Sequence, residues 1–130
     1  EYTKKSLERY QEFLDDFPES KLNNAAVESI EILRGKLGKK IYETGILYMK
    51  LDEFESAKMT FQSVMDMYYD TEIIQLAYQG MVEALAKNKE IDEAKGLLSK
   101  HENILVESGL YDDAAKTIEK MQKTILKASN

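Results

Sequence analysis

The chain has 130 residues, 43% hydrophobic and 32% charged, with one proline, six glycines, no cysteine and a net charge of −6. These figures exclude a disordered segment, a disulfide framework and a thiolate metal site, and they predict one domain or part of one. Acidic residues outnumber basic ones, 24 to 18, and no clustered basic stripe stands out, which argues against nucleic acid and against a basic patch for anionic lipid.

The first segment carries Leu7, Tyr10, Phe13, Leu14 and Phe17 at steps of three and four, one face of a helix. Pro18 ends it, because the residue before a proline is pushed out of the α region. Ser20 is placed to cap the next helix. Between Lys21 and Lys50 the stripe Leu22, Ala26, Ile30, Leu33, Leu37, Ile41, Thr44 or Gly45, and Tyr48 keeps phase through Gly35 and Gly38. One helix of ~45 Å is expected, bent near Gly38 or broken there. Further helices are expected over about 53–67, 72–87, 91–106 and 112–127, with Thr71 and Asp112 as caps and a stop at Gly109. The last of these has the stripe Ala115, Ile118, Met121 and Ile125. No stretch alternates long enough for a strand, and no apolar run reaches the ~20 residues that span a bilayer. The expectation is all-α, about six helices, with short connections that make neighbours antiparallel. Residue 1 already sits inside a helical pattern, so the sequence reads as part of a longer chain.

YQEFLDDFPES at 10–20 and FQSVMDMYYDT at 61–71 share one cadence. A tetratricopeptide unit of about 34 residues explains it: a helix pair with a small residue and an aromatic on the first helix, Ala and an aromatic on the second, and an exit proline. With Gly38 as its first position, Gly45, Tyr48, Ala57 and Phe61 fall on the small, aromatic, Ala and aromatic slots, and Tyr69 stands in the proline slot. Small residues at Gly45 and Ala57 are expected to let two helix backbones approach, with Tyr48 and Phe61 filling the space between repeats. Ser6, Tyr10 and Pro18 repeat the pattern upstream, and Gly80 and Ala94 repeat it downstream. The predicted architecture is a single tetratricopeptide-like α-solenoid. Its parts are the second helix of a repeat (1–20), a repeat with a long first helix (21–71), a further repeat (72–106) and a terminal capping helix (107–130).

YQEFLDDFPES, followed by LRGKLGKKIYETGILYMKLDEFESAKMTFQSVMDMYYDT, resembles the BamD (YfiO) outer-membrane assembly lipoproteins over roughly residues 1–105. The shared features are the aromatic-x-x-Phe-Leu exit with Pro and Ser, an Arg-x-x-Leu-Ala-like helix centre, and an Ala-x-x-x-aromatic helix closing on Tyr-Pro-Asp-Thr. Tyr69 replaces the proline, Gly38 stands where the family favours Ala, and 107–130 extend past the usual end. The resemblance implies a scaffold at the periplasmic face of the outer membrane, held by a lipid on an N-terminal cysteine outside this segment. It also implies protein partners, a BamA-like barrel insertase and its accessory lipoproteins. It carries no catalytic residue, metal or cofactor.

The residues themselves offer little chemistry. His101 is the one histidine, and a lone His on a charged helix reads as a surface residue. Asp15-Asp16 and Asp112-Asp113 are adjacent pairs that do not face each other, so they read as helix-end acids. Asp52, Glu53 and Glu55 lack the calcium-loop pattern and read as a solvated turn. No phosphate loop or nucleophile elbow is present. Tyr42, Ile46, Met49 and Met81 fall at or near groove positions of the repeat. They read either as core contacts or as an apolar groove flanked by Lys39 and Lys50, suited to an extended peptide or a partner helix. The function expected is a non-enzymatic scaffold in β-barrel assembly. The alternatives are another envelope or cytosolic tetratricopeptide adaptor, or a helical regulatory domain of a larger enzyme.

Overall fold

Leu, Ala, Lys, Glu, Gln and Met dominate the segments between turns, and these residues lose little freedom on becoming helical. The computed structural model describes residues 2–16 and 23–129. Among them the elements are α1 (Tyr2–Asp16), α2 (Asn23–Lys50), α3 (Phe54–Met67), α4 (Ile74–Lys87), α5 (Ile91–Lys100), α6 (Glu102–Glu107) and α7 (Tyr111–Ser129). The fold is a tetratricopeptide-like all-α stack. α1 packs on α2, α2 on α3, α3 on α4, and α4 on both α5 and α7. Helix α2 runs unbroken through Gly35 and Gly38. Of the sequence-assigned repeat positions, Tyr10 lies on α1 with its side chain outside the described set, and Pro18 lies outside the described residues.

Three turns share one backbone design. Asp52, Lys89 and Gly109 take φ values of 57°, 67° and 75°. At each, the next residue's N–H reaches back five positions: Glu53 to Tyr48, Glu90 to Leu85 and Leu110 to Leu105, each at 2.9 Å. This left-handed ending satisfies carbonyls at a helix C-terminus that would otherwise lack partners. Each turn then leads within five residues to a fully buried alanine, Ala57, Ala94 or Ala114. The last helix is therefore set by Ala114 and by Ile118 of the expected stripe, while Ala115, expected in that stripe, is only half-buried.

Three further expectations are corrected. The predicted helix over 91–106 is two helices, because the backbone leaves helical geometry at His101 (φ −111°, ψ 23°), which makes seven helices among the described residues. Thr71 does not cap α4; its hydroxyl donates to the Tyr68 carbonyl at 2.7 Å, and the helix begins after Ile73 without a side-chain cap. Asp112 lies inside the first turn of α7 with Asp113, where acids favour the helix dipole.

The core centres on Phe61, which is fully buried. A methyl on Gly45 would come within 2.5 Å of the Phe61 ring, and one on Gly80 within 2.7 Å. Both glycines thus make room for a ring, and at Gly45 the atoms nearest an added methyl belong to the Phe61 side chain. Tyr42 meets the same ring with centroids 5.7 Å apart. A second cluster of Val64, Tyr68 and Ala77 lies beside it. There, a methyl on Gly38 would stand 3.2 Å from Tyr68 Cβ and 3.3 Å from Ile73 Cγ2, a tight contact.

Candidate partner-binding surface

The groove residues separate once folded. Met81 is buried in the main core, because α4 is enclosed by α2, α3, α5, α6 and α7. It is not available to a ligand. Tyr42, Ile46 and Met49 are half-buried and pack against that core, as does Tyr48. Lys39 and Lys50 are exposed. The solvent-facing part of α2 here is a ridge of Lys39, Glu43 and Lys50 with Ile46 half-covered among them.

Lys39 also borders a cleft of about 880 Å³ between α2 and the start of α4, lined by Ile32, Arg34, Gly35, Ile73 and Leu76. Its wall is fixed by Arg34. The guanidinium donates to Asp70 Oδ1 at 2.8 Å and to the Met67 carbonyl, and it lies over the Tyr68 ring at 5.2 Å. The Arg34 contact holds the Asp70 carboxyl below the usual aspartate range. Burial raises the Tyr68 hydroxyl above its ordinary value, and Arg34 opposes this. The α3–α4 turn is thereby tied to the middle of α2. Sequence reasoning misses this tie, because a separation of 36 positions between Arg34 and Asp70 hides the pairing. Tyr69, in the proline slot, is 66% exposed at this turn.

A matching tie sits one helix further on. Lys58 bonds Glu55 at 3.0 Å and also Glu90, while Asn88 donates to Glu55 at 2.7 Å and to Glu90. Lys58 and Asn88 pull the Glu90 carboxyl down, and Glu90 pushes the Lys58 ammonium up. Glu55 is thus part of a bonded network and not only a solvated turn residue.

The remaining titratable groups are structural in setting. Burial raises Glu83, with Lys87 opposing and Asp113 adding to the rise. Tyr42 is raised by burial and then by Glu83. His101 is half-buried and stacks on Tyr78 at 3.6 Å and 10°, which corrects its reading as a surface residue. The kink between α5 and α6 places it on that ring. Burial, and then Lys100, lower its pKa. Among the described residues no group of three acids or histidines is placed to hold a metal ion, and no helix is long and apolar enough to cross a membrane.

Comparison with curated proteins gives no match. A protein-family model described as outer membrane lipoprotein (YfiO) matches residues 1–100, which takes in α1 to α5 with both turn-to-helix ties. This chain belongs to the YfiO family of outer membrane lipoproteins.

Proposed function

We propose that the chain is a non-enzymatic scaffold that binds partner proteins during the assembly and insertion of outer-membrane β-barrels, at the periplasmic face of the membrane. Its partners are a barrel insertase of the BamA kind and accessory lipoproteins. The observation that carries this reading is the family match over the repeat stack. The physical mechanism is preorganisation. Phe61 locks α2, α3 and α4 together, and Arg34 and Lys58 pin the following turns, so a partner meets a surface already ordered. The contact surface is the α2 ridge from Lys39 to Lys50 together with the adjoining cleft below Arg34.

The test is site-specific photocrosslinking in the intact lipoprotein within its own envelope. Crosslinkers at Lys39 and Lys50 are expected to capture a barrel-inserting protein, and one at the exposed Met59 on α3 is not. Crosslinking only from Met59, or to no barrel-assembly component at any position, would refute the assignment.

A further inference from the structure

The chain-wide acidic balance conceals one strongly basic feature, which corrects the reading that no basic stripe stands out. On α7, Lys116, Lys120, Lys123 and Lys127 succeed one another at steps of four, three and four, so they form a single line about 16 Å long. All four are exposed. At 100° per residue this line lies on the side of the helix opposite Ala114, Ile118 and Met121, which pack into the core. The lysines therefore face outward because the seam faces in. Only Lys123 has an acidic partner among the described residues, Glu119 at 3.3 Å. After Ala114 the chain holds four basic residues and one acidic residue, within a protein of net charge −6. The rest is accordingly more acidic than the whole.

We infer that this lysine ridge docks electrostatically on anionic phospholipid headgroups, holding the α7 side of the stack against the membrane surface. Protein interfaces favour Arg and aromatic anchors in shaped pockets and are poor in Lys. Between Lys116 and Lys127 there is no Arg and no aromatic residue. A fluid sheet of phosphates requires no shape match, and a helix bearing a cluster of four basic residues suffices for such attraction. The acidic remainder is repelled by the same surface, which gives the contact one orientation. The family description places the chain beside a membrane, but the ridge itself lies beyond the matched residues, so this contact is independent of the partner surface on α2.

The test is co-sedimentation of the 130-residue chain with vesicles of phosphatidylcholine alone and of an equal mixture with phosphatidylglycerol, in low salt. Binding to the mixed vesicles only, lost in molar salt, is expected. K120Q/K127Q should lower the partition coefficient by roughly 25-fold, about fivefold for each lysine, while K120R/K127R keeps it. Circular dichroism of both variants should be unchanged, since the positions are exposed and Gln and Arg are good helix formers. Equal binding to both vesicle types, or binding indifferent to K120Q/K127Q, would overturn the inference. So would absence from vesicles together with retention on polyglutamate beads, which would assign the ridge to an acidic protein.

Discussion

Two joints hold the stack together, and they are built differently. Where α2, α3 and α4 meet, the Phe61 ring occupies a slot whose walls are two absent side chains, Gly45 and Gly80. Where α4, α5 and α6 meet α7, the buried filling is aliphatic, from Leu98, Leu105 and Ile118, with Tyr78 and Tyr111 only partly buried against it, and a methyl added at Gly96 or Gly109 would meet nothing within 4 Å. The first joint depends on shape, since an added methyl on either glycine runs first into the ring. The second depends on volume, which flexible side chains can redistribute. The contrast is that of a stack with a stiff middle and a more forgiving end.

Substitutions at the two joints probe this difference. The largest effect expected is from F61A, which empties the slot and should cost about 3–5 kcal/mol in urea unfolding. G80A should cost about 1–3 kcal/mol, because the ring must shift from a well-packed site. At the other joint, L105M conserves volume and should cost less than about 1.5 kcal/mol although Leu105 is fully buried. If L105M proves as costly as G80A, the two joints are equally rigid and the distinction fails. Smallest is R34M, at about 1 kcal/mol near neutral pH, since the tie is partly exposed to water. Its pH dependence has a definite sign. Asp70 is depressed in the folded state, so its contribution is present above the ordinary aspartate range and is lost as pH falls through the lowered value. Wild type and R34M should therefore converge in stability on acidification, which urea titrations at a series of acid pH values can track.

Much of the fold is legible in the sequence because its signals are local. The three-and-four stripes, the tetratricopeptide slots and Gly109 each involve neighbouring residues. The turns around Asp52 and Lys89 are legible, but their left-handed backbone is not, since both residues adopt a conformation typical of Gly without being Gly. The signal that could have found it is the recurrence of turn, Phe, Ile or Tyr, acid and Ala at 52–57, 89–94 and 109–114, which also fixes Ala114 over Ala115. The α5–α6 break leaves no mark in the spacing, as no glycine or proline stands at His101. The candidate surface is only half legible. Sequence identifies the outward ridge of α2, but whether Met81 lies in a groove or a core depends on how many helices close over α4, and that is a property of the whole stack.

That one ring and two glycines lock three helices is tested most directly by a double-mutant cycle between Phe61 and Gly80. F61L shortens the side chain and G80A fills the space released. G80A is expected to cost at least about 1 kcal/mol less in the F61L background than in the wild type, a coupling characteristic of residues in contact. Costs that simply add, within the experimental error of urea unfolding, would show that no such lock exists.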